Sequence, residues 1–512
     1  MHIRAAIVLL SWLTLLSATA RGTDVVLTIG GGYAPGGNQV SLEKNVRFLG
    51  EVLERTLPAG YRHSIFFADG DDPHRDVQYL AGETPESRAE QLLAQVFDDD
   101  EYFFERYRNH KLPQVAEATT KENLKEWFVN VGRKLGADDR LLIYVTAHGG
   151  PSNDERKPFN TTLHLWNNEE ITVQDFANEL DQLAPELPVV IVMVQCYSGG
   201  FSHLLFTGGD PRNGLAPHRR CGFFATTHDR VAAGCTPAIN EADYQEYSSG
   251  FWAALIGQTR IGEPLEKPDY DKDGATSFAE AHAHVLIHSD TIDLPVKTTD
   301  AFLRVYSDLR PERRLAQRED EQTSSTLRPV APLAIDAPID SLLAAADPIE
   351  RAVIHGLSTQ LKLDQTDRAI AIGELMGAID DQRDRLRRQT REVRRDENWV
   401  RRGIVADLLL EWPELTGPWN PEGRRLVREE SEAIVTFIES HPLFDRWQAA
   451  RTELAEIEQR SGDLELKDVK CQRLLYMLES VTLANNLPLV ADETRIRQYL
   501  ALRAAEHGTL GE

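Results

Sequence analysis

Leu141-Leu142-Ile143-Tyr144-Val145-Thr146-Ala147-His148-Gly149-Gly150 and Val189-Val190-Ile191-Val192-Met193-Val194-Gln195-Cys196-Tyr197-Ser198-Gly199-Gly200 decide the fold. Each is a short apolar run, rich in β-branched residues, that stops at a glycine pair. Runs of this kind are strands buried on both faces, as in a parallel sheet covered by helices. One strand ends in His148 and the next in Cys196. In open α/β sheets the carboxyl ends of the strands border one crevice, so the fold delivers an imidazole and a thiol to the same place.

Working outward, further strands are expected at 25–29, 64–68 and 222–226, beside 141–146 and 189–194. Amphipathic helices are expected at 41–57, 121–135, 173–183 and 244–256. Alternating strands and helices predict an α/β fold with a mainly parallel central sheet and helices on both faces, a three-layer arrangement. The polar stretch 70–119 is an insertion with short helices of its own. Residues 311–348, punctuated by Pro329, Pro332, Pro338 and Pro348, form a linker in which 333–346 can pack locally. From 349 to 512 the pattern is helical and forms an α-helical C-terminal domain. Ile379, Leu386, Val393 and Val400 recur every seven residues, but Gln382, Gln389 and Asp396 fill the partner heptad positions. A bundle packed on the first domain is favoured over a coiled coil, and later helices are expected at 423–439 and 443–460.

The chain has 512 residues and a formal net charge of -25, with 81 acidic against 56 basic side chains. That balance excludes a non-specific nucleic-acid binder, which needs Lys and Arg to meet phosphate. Residues 1–20 carry a basic start, an apolar core from Ala5 to Leu16 and a small-x-small ending at Ala18-Thr19-Ala20. They constitute a signal peptide, so a secreted or periplasmic location is expected. No later stretch has the apolar length of a membrane span. Four cysteines are too few for a disulfide scaffold. Export permits a Cys221–Cys235 bond, whereas Cys471, at helical spacing with Leu474, Leu475 and Leu478, is a core thiol.

A thiol attacks carbonyls only as thiolate, and a neighbouring imidazole both assists its deprotonation and protonates a leaving amine. Gly149 allows a sharp turn with an accessible N–H. With the N–H of Cys196 it can form an oxyanion hole. The order His148-Gly149-Gly150, then Gln195-Cys196-Tyr197-Ser198-Gly199-Gly200 some fifty positions on, resembles the caspase–legumain clan of cysteine peptidases. Cys221-Gly222-Phe223-Phe224-Ala225-Thr226-Thr227 is similar to the strand that follows the nucleophile in that clan. The 25–29 strand leading to Gly30-Gly31-Gly32-Tyr33 is similar to its first strand. The resemblance spans about residues 24–309, within a domain expected at 21–310, and implies a caspase-like fold and a cysteine endopeptidase with a Cys196–His148 dyad acting on peptide or protein substrate. Val194 stands where the clan carries Glu or Gln, and Gln195 directly precedes Cys196, which marks a divergent bacterial-type branch. By resemblance, the loop His228-Asp229-Arg230 borders the primary specificity pocket. It holds both signs of charge and leaves the preferred substrate residue open. A catalytically inactive scaffold and a transpeptidase or ligase variant remain the alternatives.

A second constellation is independent. Asp269-Tyr270-Asp271-Lys272-Asp273-Gly274-Ala275-Thr276-Ser277-Phe278-Ala279-Glu280 has the layout of an EF-hand loop. Asp269, Asp271, Asp273, the Ala275 carbonyl, Ser277 and Glu280 are the expected Ca2+ ligands, and Gly274 takes the sharp turn. Pro264 and Pro268 stand where an entering helix would run, so only an exit helix is expected. His284 and His288 share a helix face without a third ligand and are read as structural. The C-terminal helical domain carries no catalytic constellation and is expected to be structural or to bind a protein partner.

Overall fold

Of the five residues of the Val189 strand, none is exposed, and those of the Leu141 strand are nearly as deeply buried. A strand apolar on both faces must be covered on both faces, and that requirement organises the molecule. The computed structural model describes residues 22–80, 87–98, 105–307, 331–416 and 420–511. The signal peptide expected at 1–20 and the 311–330 portion of the linker lie outside the described residues.

In chain order, β1 (Asp24–Gly30) is followed by α1 (Val40–Thr56) and β2 (Arg62–Phe67). The 70–119 insertion contributes β3 (Val77–Leu80), α2 (Arg88–Phe97), β4 (Glu105–Arg108) and β5 (Val115–Glu117). Then come α3 (Lys121–Asn130), β6 (Arg140–Thr146), β7 (Gly149–Gly150), β8 (Thr162–Leu165), β9 (Glu169–Thr172) and α4 (Val173–Leu180). The unit continues through β10 (Val189–Met193), β11 (Arg220–Phe224), α5 (Tyr247–Ile256), α6 (Phe278–His288), β12 (Val296–Lys297) and α7 (Thr298–Tyr306). The central sheet has seven strands in the order β12-β11-β10-β6-β1-β2-β5. Only β12 runs antiparallel to its neighbour. One face packs on α3 and α4 through Trp127, Phe128 and Phe176. The other packs on α1, α5 and α6 through Phe48, Phe251, Trp252 and Phe278. The α/β reading and the mainly parallel sheet therefore hold, with strand and helix ends displaced by a few residues.

The C-terminal region is helical: α8 (Ile339–Ala345), α9 (Pro348–Leu361), α10 (Arg368–Glu411), α11 (Pro421–Glu429), α12 (Ser431–Glu439), α13 (Phe444–Asn486) and α14 (Glu493–Glu506). Two expectations change here. The 423–439 helix is broken at Glu430, whose backbone leaves the helical region while its carboxylate accepts a hydrogen bond from Trp412 Nε1. The 443–460 helix instead runs on to Asn486. Gly462 does not stop it, since its position is open to solvent and only the modest helical cost of glycine opposes continuation. The seven-residue stripe is used: Ile379 and Val400 are buried where α10 lies along α13. The far end of this pair is capped by the insertion, as Ala89, Leu92 and Leu93 of α2 share a core with Ile404 and Trp447.

The near end is fastened to the α/β unit by buried charge. Glu506 has no exposure and accepts from Lys297 Nζ at 2.9 Å, Thr298 Oγ1 at 2.8 Å, Thr299 N at 2.7 Å and Thr299 Oγ1 at 2.7 Å. Just beyond, Arg140 donates to the carbonyls of Thr509 and Leu510. The four cysteines are unpaired, so the Cys221–Cys235 bond is not formed. Cys221 points into the core from β11, while Cys235 lies in a loop against Ala147 O. Cys471 is fully buried, as its helical spacing predicts.

Removing one member of a buried ion pair strands the other. Glu506→Ala is expected to lower stability by about 3 kcal/mol in urea or guanidinium titration. A loss under about 1 kcal/mol would show that Lys297 is rehydrated without it.

Candidate active site

The candidate site sits at the carboxyl ends of β6 and β10, which are adjacent in the sheet with Val145 opposite Met193. Pairing continues one step further, from Val194 N to Val145 O at 3.0 Å. Beyond that step both chains break. A Cβ on Gly149 would lie 2.3 Å from the Cys196 carbonyl oxygen and 2.7 Å from Gln195 Cγ, so only glycine lets the two main chains approach this closely. Tyr197, next to the thiol, holds a left-handed φ of 59°. A side chain in that conformation stores roughly 1–3 kcal/mol of strain, which the surrounding contacts must sustain. The contact fastening it is Tyr197 N to Arg230 O at 2.8 Å.

His148 is oriented from the β1–α1 loop. Its Nε2 lies 2.8 Å from Gly37 O and 2.9 Å from Gln39 Oε1, and Tyr33 packs edge-on at 5.4 Å. Both partners are acceptors, so Nε2 carries the proton and Nδ1 keeps its lone pair. Burial lowers the imidazole's basicity and keeps it neutral near pH 7.

Cys196 is partly buried. No hydrogen bond joins it to His148; its Sγ accepts from Ala232 N at 3.3 Å and approaches Ala232 O at 3.9 Å. Burial raises the thiol pKa above its ordinary value, and the nearby Asp293 carboxylate adds to the effect. Burial thus disfavours the charged form of both groups, the thiolate and the imidazolium. Gln195 is fully buried beneath Gly149, and both its amide atoms lack partners.

The expected pocket residues face a separate cavity. His228, Asp229 and Arg230 line a cavity of about 1170 Å³ that also touches Gly199 and α13, but neither Cys196 nor His148. His228 stacks on Phe159 at 3.9 Å, and His203 stacks at 4.1 Å. Asp229 accepts from Thr227, and Arg230 donates to Gln472 and to Ile292 O. Strand order thus brings His148-Gly149 and Cys196 to adjacent strand ends, with the Gly149 backbone against Cys196, and sets the 228–230 loop beside Tyr197. Gln39, Ala232 and Asp293 belong to the site and went unforeseen, because no motif marks them and they arrive from three separate segments.

In the acidic loop, Asp269, Asp271 and Asp273 bring one carboxylate oxygen each to within 4.8 Å of one another. Gly274 takes φ 89° with open space around it, as the turn requires. Ala275 N donates to Asp273 Oδ1. Ser277 and Glu280 form a reciprocal cap at the start of α6, and Glu280 Oε1 also accepts from Tyr270 N at 2.6 Å. Three hard oxygens are gathered, while the Ser277 and Glu280 side chains are engaged within the protein. His284 and His288 have ring centroids 4.5 Å apart and join no wider group of ligands among the described residues. Among the described residues no helix is long and apolar enough to cross a membrane.

No family model matches the chain, and no curated protein matches it. Among solved structures, the crystal structure of protein GSU0716 from Geobacter sulfurreducens is similar to it at 11% identity and a TM-score of 0.31. The match covers 54% of this chain and 92% of that one.

The remaining cysteines are less acidic than Cys196, with Cys235 and Cys471 each pushed up to about 12 by burial. Iodoacetamide is therefore expected to modify Cys196 first, at a rate that keeps rising with pH beyond the ordinary thiol range. Peptide mass mapping across pH 5 to about 10 checks this. A rate already level at neutral pH would instead reveal a resting ion pair.

Proposed function

We propose that the chain is an exported cysteine endopeptidase of the caspase–legumain kind, with a calcium loop that stabilises it. The observation that carries this is the close approach of Gly149 to Cys196 at the ends of adjacent strands, with the neighbouring His148 held through Nε2 so that its Nδ1 stays unprotonated. On this reading, Cys196 transfers its proton to His148 Nδ1 as Sγ bonds to the scissile carbonyl carbon. The N–H groups of Gly149 and Cys196 hold the oxyanion. The C–N bond then breaks, and His148 returns the proton to the departing amine. Water, deprotonated by the same nitrogen, releases the acid from the thioester. The thiol must turn from Ala232 toward His148 as substrate enters. The 228–230 loop would meet the substrate side chain from the neighbouring cavity.

For the loop, Asp269, Asp271, Asp273 and the Ala275 carbonyl would hold Ca2+, joined by Ser277 and Glu280 once released from their cap. The ion would fix the start of α6, which packs on both the sheet and α9. A second reading, a calcium-binding scaffold without catalysis, draws on the thiol being held by Ala232 rather than His148.

Peptide-library cleavage decides between the two. The endopeptidase reading expects hydrolysis that Cys196→Ala lowers by more than about 1000-fold; equal turnover in both proteins refutes it. Separately, calcium at about 100 times its Kd is expected to add about 2.7 kcal/mol of stability. A chelator should reverse that gain and Asp271→Asn should abolish it, as read in the melting temperature. An unchanged melting temperature in calcium refutes the ion site.

A further inference from the structure

The thiol of Cys196 is placed by Ala232, and Ala232 is placed from far away in the chain. The next residue, Ala233, donates its N–H to Asp293 Oδ1 at 2.7 Å. Asp293 is fully buried, and its other oxygen has no partner. It ends the 289–293 loop, whose carbonyls converge on one guanidinium. Arg473 of α13, 1% exposed, donates through Nε to Asp293 O at 2.9 Å. Its Nη1 donates to Ser289 O at 2.7 Å and Leu286 O at 3.3 Å, and its Nη2 to Thr291 O at 3.0 Å and Thr291 Oγ1 at 3.3 Å.

The adjacent residue reaches the other flank of the nucleophile. Gln472 Oε1 accepts from Arg230 Nη1, and Arg230 O in turn accepts from Tyr197 N. Gln472 is itself held by Asp468, which also receives Arg383 of α10 at 3.1 Å. Two consecutive side chains of one helix thus hold the 230–233 strap on which Cys196 rests, Gln472 directly at Arg230 and Arg473 at the other end through Asp293.

Core packing alone does not call for this. Burying a guanidinium is costly unless every donor is matched, and an apolar side chain of similar volume is often no less stable. Here four of the five acceptors belong to the single loop that ends at Asp293 and so at the thiol strap, and the fifth, Leu286 O, lies in the last turn of α6 just before it.

We infer that Arg473 is a positioning residue for Cys196, acting through the 289–293 loop and Asp293. The helical region is then part of the active-site machinery. This rests on Cys196 being the nucleophile. Asp293 faces Arg473, Glu246 and Cys196, and its negative charge near the sulfur opposes thiolate formation.

The test uses the full chain and two readouts: the pH profile of Cys196 alkylation by iodoacetamide, and kcat and KM for peptide hydrolysis. Arg473→Met is expected to lower kcat by about 10- to 100-fold with little change in KM, the scale of a roughly 1 Å misplacement. It should also displace the alkylation profile, while Arg473→Lys recovers part of both. Asp293→Asn keeps an acceptor for Ala233 but removes the charge, so its alkylation profile should move to lower pH. A folded Arg473→Met chain with the parent profile and kcat overturns the inference. If that variant fails to fold, an unshifted Asp293→Asn profile overturns it. Absence of hydrolysis in the parent chain would instead remove the peptidase reading, and the alkylation profiles would still report whether α13 positions the thiol.

Discussion

The burial of β10 on both faces is the constraint on which the rest depends. A strand with no polar side has no solvent face, so helices must close over both surfaces of the sheet. With the faces closed, the edges formed by strand ends are where the chain can break without losing core. β6 and β10 break there together, and the two breaks carry the glycine N–H groups, His148 and Cys196. The left-handed turn at Tyr197 and the clash-free approach of Gly149 are local consequences of bringing two such ends together.

The helical region answers a second demand. α6 carries apolar side chains toward the sheet and also toward α9 and α13, so it cannot be covered from one side alone. The helices that cover it bring charge with them, and the charge is satisfied in detail. Arg473 meets carbonyls of one loop, and Glu506 meets one lysine, two hydroxyls and an amide. Such groups contribute specificity of docking more than net stability. They determine which loop carbonyls face α13, a matter on which apolar packing is indifferent.

Much of this was legible in the residues, and the division follows sequence distance. The central strands follow from β-branched runs, and His148, Gly149 and Cys196 from the glycines that end them. The loop of Asp269, Asp271 and Asp273 follows from spacing within twelve positions. What stayed hidden is what arrives from afar. Gln39 reaches His148 across 109 positions, and Arg473 reaches Thr291 across 182. No local pattern encodes either contact. The split at Glu430 was hidden too: its carboxylate meets the indole of Trp412, just past the end of α10. The unpaired Cys221 and Cys235 show that nearness in sequence does not bring two thiols together when one belongs to a core strand.

The late position of α13 and α14 has a consequence in time. At about 5–20 residues per second of synthesis, Arg473 appears roughly 14 to 55 seconds after Cys196. Through that interval the strap can meet Asp293 and Tyr197, but the α13 side chains that hold it from behind do not yet exist. Cys196 is made early and its supports in α13 are made late, so a chain cut short before its final helices carries Cys196 and His148 without the Gln472 and Arg473 contacts to the strap and its loop.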